Sequence, residues 1–444
     1  NNSANITMKT NKTLLSAAVA FGLLSTSGVA NAAGFQLAEY SATGLGRAYA
    51  GEAAMADNAS SQWRNPAMLT YLEGTQVSVG AIYVNPNIDV NGTTTAKSPI
   101  TGQPIYHSAS SKDFAHDAII PNFYLSHQYN EKFAIGLAFG TNYGMETNLG
   151  KDFAAANFGN EASVTSMEAN LNAAYKLSEA FSIGGGVRYV IADGSIGAVM
   201  PPHMGPYAGK TLKYMEGDDK AWGWQVGAAW QINEDNRIGF AYKSEVELNL
   251  EGHAEGLGFD LVAPVAKPRY NGSMELALPA TAELASFHQL NDQLAVHASI
   301  NWTDWSSFKE LVANIPEFGG NADQLVKTEK WEDNYRFAVG TTYKLDQKWT
   351  LRSGVAYDMS AVDDKYRTTT IPETDRLWLS VGAGYEWSKN LTLDAGFTYI
   401  FAKDAPISEP RDASDNAAAA FGGTFEGEVT GNVWLIGVQA NYKF

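Results

Sequence analysis

The sequence predicts an all-β protein, a 14-stranded antiparallel transmembrane β-barrel that is plugged by a small N-terminal helical segment. Three observations lead to this prediction: apolar residues recur with a period of two, short polar turns alternate with long loops, and the final strand ends on an aromatic residue. The composition agrees, because the chain is acidic and contains 42 glycines, 21 tyrosines and 11 tryptophans. On composition alone, a large secreted β-protein fits equally well.

The composition also excludes several classes of protein and site. A net charge of −17 argues against a nucleic-acid partner, which requires a basic surface. The absence of cysteine rules out a disulfide framework and a cysteine nucleophile. No run of about 18 apolar residues occurs, so no transmembrane helix is expected. The seven histidines show neither metal-binding spacing nor a neighbouring Gly-x-Ser-x-Gly motif, so we expect no enzyme, metal or cofactor.

The N-terminal region has the pattern of an export signal. Lys9 and Lys12 form a basic segment, and Leu14–Leu24 is apolar. Ala30-Asn31-Ala32 follows as a cleavage site of the small-x-small type. We therefore assign residues 8–32 to a signal peptide, which implies export from the cytoplasm.

The mature chain, which begins at Ala33, divides into a plug, residues 33–75, and a barrel, residues 76–444. The plug region lacks strand periodicity and is rich in alanine and glycine. It carries apolar side chains such as Trp63 that a solvated leader would expose, and a barrel of this size has a wide lumen to fill. Pro66 suits a helix start, where its missing N–H is harmless. Three short helices are predicted, over Ser41–Tyr49, Gly51–Asp57 and Pro66–Tyr71.

The barrel region alternates apolar residues with small or polar ones, which is the pattern of a two-faced strand. In one such stretch, Leu377, Leu379 and Val381 alternate with Trp378 and Ser380. In a membrane barrel the apolar face contacts lipid and the other face lines the lumen. Similar alternation occurs in the stretches Phe133–Gly140, Leu294–Thr303 and Leu391–Tyr399.

Connections between the strands are short and long in alternation. Longer segments lie near residues 91–117, 147–160, 199–219, 253–271, 306–326, 364–374 and 404–422. This alternation is the periplasmic-turn and extracellular-loop asymmetry of outer-membrane barrels, and it corresponds to about 14 strands. Aromatic residues beside the short turns, such as Trp230 and Tyr385, would form the periplasmic girdle. The short turns are Tyr129–Lys132, Leu177–Ala180, Ile232–Asp235, Leu290–Gln293, Leu345–Lys348 and Trp387–Asn390.

The last strand is the most specific local signal. It ends on Phe444, and apolar residues alternate with mostly polar ones before it: Trp434, Ile436, Val438, Ala440 and Tyr442. An alternating strand with an aromatic C-terminus matches the sorting signal of substrates of the barrel-assembly machinery. We therefore expect that machinery as a partner and the outer membrane of a Gram-negative cell as the location.

The plug and several strands carry a family resemblance. Gly44–Tyr49, Arg64–Ala67 and Asp375–Ser380 resemble the FadL family of outer-membrane long-chain fatty acid transporters, and the resemblance extends over the mature chain. It implies a barrel closed by a three-helix hatch and passive transport without energy input. It also implies ligand capture by apolar extracellular loops, a deeper hydrophobic pocket, and lateral exit through a kink in strand 3.

The resemblance further implies a set of gating residues. It assigns a hatch motif and a strand kink that contact each other to six positions: Asn65, Pro66, Ala67, Asn142, Tyr143 and Gly144. The third strand itself also carries Gly136 and Gly140, and glycine inside a strand suits a bulge or bend. Without the resemblance, glycines that merely line a narrow lumen are an equal interpretation.

Fatty-acid chemistry sets two requirements for a binding site. The tail gains about 0.8 kcal/mol per buried CH₂, and the desolvated carboxylate needs a cation or hydrogen-bond donors. The resemblance implies two basic side chains in the deep pocket. One aligns with Lys327, for which a solvated loop-edge lysine is an equal interpretation, and the second would lie near residues 197–199, which contain no basic residue. Further ligand contacts are predicted in two unusually apolar loops, at Met200, Met204, Leu257, Phe259 and Leu261.

Two substrates fit this fold. Long-chain fatty acids are the leading prediction, and uncharged aromatic or alkane hydrocarbons are the alternative, because one expected basic residue is missing. A general diffusion porin and an outer-membrane lipase using His297 are competing classes. The expected partners are a long-chain fatty acid or another hydrophobic ligand, outer-membrane lipid and lipopolysaccharide, with no nucleic acid. We expect a monomer.

Overall fold

The computed structural model describes residues 36–98, 100–410 and 423–444. The predicted signal peptide and the predicted mature start at Ala33 lie outside these ranges. Within them, one antiparallel sheet closes on itself, because its first strand pairs with its last from Gln76–Lys443 to Thr95–Thr424. Because the first and last strands pair, the sheet has no free edge strand, which is what a β-structure inside hydrocarbon requires.

Twenty strand segments in the described ranges form the sheet. Six barrel strands are each interrupted once, so the segments make up the predicted 14 strands. Their bounds are β1 Thr75–Lys97, β2 Pro104–Ser111 and Ala118–Gln128, β3 Phe133–Gly140 and Gly144–Asn148, β4 Glu161–Lys176, β5 Phe181–Val199, β6 Thr211–Asn233, β7 Asn236–Lys243 and Val246–Glu255, β8 Tyr270–Leu278 and Thr281–Gln289, β9 Leu294–Thr303 and Glu310–Asn314, β10 Asp323–Thr328 and Asn334–Lys344, β11 Trp349–Asp358, β12 Arg376–Glu386, β13 Leu391–Glu409, and β14 Thr424–Lys443.

The six predicted short turns all connect neighbouring, paired strands. Side chains close several of them. Asn130 accepts hydrogen bonds from the backbone amides of Lys132 and Phe133 at 2.9 and 2.8 Å, and Asp346 accepts the equivalent pair at 2.8 and 2.7 Å. Such Asx turns explain why asparagine and aspartate recur at these positions.

The opposite ends of the strands are longer than predicted. In the first long connection, Val90–Lys97 of β1 pairs with Pro104–Ser111 of β2. Near residues 306–326, Glu310–Asn314 pairs with Asp323–Thr328. These two predicted loops are therefore largely strand extensions.

The two faces of the strands match the predicted alternation. On β12, Leu377, Leu379 and Val381 are exposed, whereas Trp378 and Ser380 are buried. The exposed set faces outward, where lipid contacts a membrane barrel, and the buried set faces the lumen. Among the described residues, no helix has the length and apolarity needed to cross a membrane.

The lumen contains the hatch, residues 36–74. Its helical segments are α1 Ala42–Leu45, a 3₁₀ turn Glu52–Ala54, α2 Ser61–Arg64, and a 3₁₀ helix Pro66–Tyr71. The last has its predicted bounds. The other predicted helices, Ser41–Tyr49 and Gly51–Asp57, are wrong in length. The first is interrupted because Ala48 and Tyr49 have positive φ angles of 52° and 56°, a left-handed conformation. The second is limited to Glu52–Ala54, because Met55 has an extended backbone.

The hatch packs directly onto luminal glycines. A Cβ atom on Gly354 would lie 2.1 Å from the carbonyl oxygen of Arg47, and one on Gly239 would lie 2.0 Å from that of Ala53. Any side chain at these positions would displace the hatch. These glycines therefore contact the hatch, in addition to lining a narrow lumen.

Candidate functional site

The third strand is interrupted where the sequence predicts a kink. β3 stops at Gly140 and restarts at Gly144. Its pairing with β4 continues on both sides of this interruption. Its pairing with β2 does not, because the register ends at Phe123–Phe139 and resumes as an isolated bridge at Ala115–Thr147. Within the described residues, the barrel wall is therefore unpaired between these two points.

The kink is held by hydrogen bonds from its own side chains to β4 and to the interruption in β8. Asn142 Nδ2 donates to Glu168 Oε1 at 3.0 Å, and the buried Glu168 is in turn paired with Arg188 at 2.9 Å. The hydroxyl of Tyr143 donates to the carbonyl oxygen of Pro279 at 2.8 Å. These bonds keep the displaced segment inside the lumen.

The first described residues of the hatch form backbone contacts with the kink. The amide of Leu37 donates to the carbonyl oxygen of Asn142 at 2.6 Å, and Gln36 forms a β-bridge with Tyr143. Thr303 Oγ1 donates to Gln36 Oε1 at 2.8 Å. The hatch therefore reaches the unpaired wall through its N-terminal end.

The structure corrects the prediction that Asn65–Ala67 contacts the kink, because the tripeptide lies against other strands of the barrel. Asn65 Nδ2 donates to the carbonyl oxygens of Ala53 at 2.7 Å and Ala228 at 3.1 Å. A Cβ atom on Gly227 would lie 1.9 Å from Asn65 Oδ1, and one on Gly184 would lie 2.4 Å from the nitrogen of Ala67. Thus the tripeptide docks on β5 and β6, because only glycines there leave room for it.

An apolar cavity lies in the barrel beside the kink. It encloses about 690 Å³, including its mouth, and most of its lining is aliphatic or aromatic. Glu216 and His253, which are 3.3 Å apart, contribute its charged or titratable lining. Among the described lining residues none is a lysine or an arginine. Its apolar lining includes Met145, Ile196, Met215, Leu250, Met274 and Phe308.

The predicted ligand residues Met200, Met204, Leu257, Phe259 and Leu261 do not occur among the described residues that line this cavity. Phe259 is fully buried, and Met200 is buried as well. Met204 and Leu257 are partly buried, and Leu261 is 86 % exposed. Sequence reasoning missed the actual lining, because its residues come from strands far apart in the chain. The feature that most of these lining residues share in the sequence is an apolar side chain at a strand position that faces the lumen.

The position of Lys327 is described by its backbone alone. Lys327 pairs with Leu311 across β10 and β9, and Leu311 lines the apolar cavity. The side chain of Lys327 lies outside what the structure describes, so its predicted role stays a prediction.

A second, polar chamber adjoins the kink on the hatch side. It has a volume of about 680 Å³, including its mouth, and is lined by Gln36 and Leu37 of the hatch and by Asn142 and Tyr143 of the kink. Tyr143 also packs in an apolar cluster that contains Met145, Ile196 and other residues lining the first cavity. The charged lining residues of the polar chamber are Arg64, Lys243, Glu283, Arg336 and Asp358.

A family model described as outer membrane protein transport protein (OMPP1/FadL/TodX) matches residues 23–444. The chain belongs to this family. The FadL-family proteins are outer-membrane transport channels, not enzymes, so the chain is an outer-membrane β-barrel protein of Gram-negative bacteria and transports hydrophobic compounds.

Individual FadL-family relatives cover nearly the whole chain. The long-chain fatty acid transport protein of Escherichia coli O6:H1 is 35% identical over 470 residues, covering 99% of this chain and 100% of the relative. Outer membrane protein P1 of Haemophilus influenzae is 35% identical over 469 residues, covering 98% and 100%. Among solved structures, a FadL homologue of Pseudomonas aeruginosa superposes with a TM-score of 0.82 at 24% identity, covering 93% of this chain and 100% of that one. This likeness supports the fold.

Proposed function

We propose that this protein is a passive outer-membrane transporter of long-chain fatty acids. The observation that carries the proposal is the position of the apolar cavity, which is lined by Met145 directly after the interruption in β3 and so lies beside the unpaired stretch of barrel wall. Relatives named long-chain fatty acid transport protein add support at up to 35% identity.

Ligand capture would begin at apolar residues on the extracellular loops. Tyr207, Leu261 and Val265 are exposed there, and exposed apolar side chains favour a hydrophobic ligand. The acyl chain would then move into the apolar cavity, where each buried CH₂ contributes about 0.8 kcal/mol. A hatch that fills the lumen makes an aqueous route unfavourable, so the proposed exit is lateral, between β2 and β3.

Uptake by intact cells tests this function. A Gram-negative host that lacks its own fatty-acid transporter would express this chain, and radiolabelled oleate uptake would be measured. We expect uptake to rise well above that of the empty host. A control host would express an unrelated 14-stranded barrel at the same level. Equal uptake by the two hosts would refute the proposal.

Uncharged hydrocarbons are a second candidate. The specific observation in their favour is that no lysine or arginine occurs among the described residues lining the apolar cavity. A monoaromatic hydrocarbon channel, CymD, shares the fold with a TM-score of 0.60 at 17% identity. Binding of oleate and of toluene to the purified protein separates the candidates, because a fatty-acid transporter should bind oleate far more tightly.

A further inference from the structure

A groove runs along the outer face of the barrel, on the side of the wall that carries the proposed exit. Its volume is about 2020 Å³, including the open space in front of it. Seven of its lining residues are register partners in one continuous row, which crosses from β3 through β2, β1, β14, β13 and β12 to β11. In that order they are Phe139, Phe123, Val79, Ala440, Leu393, Tyr385 and Trp349.

The groove lies on the lipid-facing surface. Val79 is 50% exposed and Trp349 is 43% exposed, whereas Ser78, the neighbour of Val79 on β1, is fully buried and faces the lumen. Alanines between larger side chains leave the hollow in an otherwise convex wall: Ala81, Ala383, Ala395 and Ala440. A chain that lies in the hollow contacts protein below and on both sides, and so gains more dispersion contacts than on the convex wall.

The upper end of the groove coincides with the proposed exit. Phe123 and Phe139 are the last register pair of β2 and β3 before the wall becomes unpaired, and their ring centroids are 5.9 Å apart. A molecule that leaves between β2 and β3 therefore meets the groove at once.

From this end the row descends to the periplasmic rim. Phe139 lies six residues from the turn end of β3 at Phe133, Val79 lies four from the turn end of β1 at Thr75, and Trp349 is itself the first residue of β11. Each step to the next strand brings the row one residue closer to the short turns. The six interstrand spacings amount to about 29 Å, which is long enough for an extended long acyl chain.

The lower end has the character of a membrane–water interface. The ring centroids of Trp349 and Tyr385 are 4.7 Å apart, and Lys348 Nζ lies 5.9 Å from the centroid of the Tyr385 ring. Aromatic rings and a neighbouring lysine are typical of the headgroup level of a bilayer. A polar headgroup at this end of the groove can therefore reach periplasmic water.

We propose that the groove is a release site, in which the acyl chain of a molecule that has left between β2 and β3 lies against the outer wall with its polar end towards Trp349. The inference rests on the proposed function and adds a binding site outside the barrel to the transport route. Its occupant is a single-chain amphiphile, because the groove begins at the exit and ends at the headgroup level. The groove would carry this molecule from the exit to the periplasmic leaflet.

Fluorescence quenching tests the occupancy of the groove. The chain has no cysteine, so Ala395→Cys on the groove floor can be labelled at a single position with a small fluorophore in lipid nanodiscs. Ala298→Cys on β9 is the matched control, because Ala298 is also exposed but does not line the groove. Dibromostearate, added to the lipid, should quench the label at position 395 at least about twofold more strongly than the label at position 298, because of the extra contacts in the hollow.

Two further quenching results would contradict the proposal. Brominated phosphatidylcholine should show a weaker preference for position 395 than dibromostearate does, and an equal preference would make the groove an ordinary lipid contact. Shielding of position 395 from both quenchers would assign the groove to a second copy of this chain.

A substitution that fills the hollow tests the role in release. Ala440→Phe should abolish the preference for position 395 and slow radiolabelled oleate uptake by intact cells, whereas Ala298→Phe should do neither. Assembly of each variant is checked by heat-modifiable gel mobility. If Ala440→Phe does not assemble, Ala383→Phe replaces it, with the same losses expected.

The results separate this inference from the proposed function. Equal quenching at the two positions refutes the groove site, whether or not oleate is taken up. Preferential quenching without uptake by the wild type refutes the proposed function and the release role with it. Preferential quenching with uptake that Ala440→Phe does not slow refutes the release role alone, and slowed uptake supports both.

Discussion

The backbone amide of Leu37 donates a 2.6 Å hydrogen bond to the carbonyl oxygen of Asn142. This bond joins the first described turn of the hatch to the interruption in β3, beside the unpaired wall. The barrel and the hatch therefore meet where the proposed exit lies. A movement of the hatch end would therefore directly change the kink beside the proposed exit.

Removing that amide should loosen the hatch end. Leu37→Pro eliminates the donor, because proline has no backbone N–H. We expect oleate uptake to increase at least about twofold, because the lost hydrogen bond contributes about 0.5–1.5 kcal/mol to hatch docking. Leu37→Ala is the control, because it keeps the amide and should change uptake less. Unchanged or lower uptake in the proline variant alone would contradict a sealing role for this bond.

Asn65→Ala should weaken the docking of the hatch on β5 and β6. The asparagine makes two hydrogen bonds to carbonyl oxygens and accepts a third from the Ala67 amide at 3.0 Å, so its loss should cost about 1–3 kcal/mol of docking free energy. Pro66→Ala should act in the same direction. We expect increased oleate uptake, because a loosened hatch closes the lumen less tightly, with unchanged barrel assembly measured by heat-modifiable gel mobility. Glu73→Ala, at the exposed end of the hatch, is the control, and wild-type uptake in both hatch variants would exclude a role for the tripeptide.

A methyl group on Gly227 should displace the hatch. Its Cβ would lie 1.9 Å from Asn65 Oδ1, so Gly227→Ala forces either the wall or the tripeptide to move. We expect higher ion conductance in planar bilayers, because a displaced plug opens the lumen. Gly185→Ala on the neighbouring strand is the matched control, since its Cβ atom would lie an ordinary 3.4 Å from its nearest neighbour, the carbonyl oxygen of Gln225. Equal conductance of the two variants would show that the hatch tolerates the contact.

Docking of the hatch end should depend on pH through Glu39. Burial raises the pKa of Glu39 from 4.5 to about 7, although hydrogen bonds from the backbone and the nearby charges of Arg336 and Arg376 oppose the shift. The docked state therefore favours the neutral acid. Its contribution to docking is complete below pH 4.5 and is lost as the pH rises through about 7.

Hydrogen exchange of the 36–40 segment measures this dependence. Protection, corrected for intrinsic exchange, should be higher at pH 5 than at pH 8, and Glu39→Gln should remove the difference. Glu73→Gln, an exposed acid, should leave it in place. A pH difference that persists in Glu39→Gln would assign it to another group.

The barrel was predictable because its signals are local. Period-two alternation defines the faces of each strand, and Asn130 or Asp346 closes a turn within three residues of itself. The site was less predictable. The position of the kink followed from the family resemblance, but its partner did not. Gln36 and Leu37 belong to the mature start that shares the resemblance, yet the contact with the kink was assigned to Asn65–Ala67.

The sequence by itself determined the architecture: a 14-stranded barrel, its inner and outer faces, its short turns and the presence of a plug. These depend on periodicity and turn chemistry that are read within a few residues. The tertiary structure alone decided which part of the plug contacts the kink, which residues line the apolar cavity, and that Nε and Nη1 of the buried Arg336 have no hydrogen-bond partner among the described residues. Those features depend on side chains that meet across the lumen from distant parts of the chain, and no local pattern encodes such meetings.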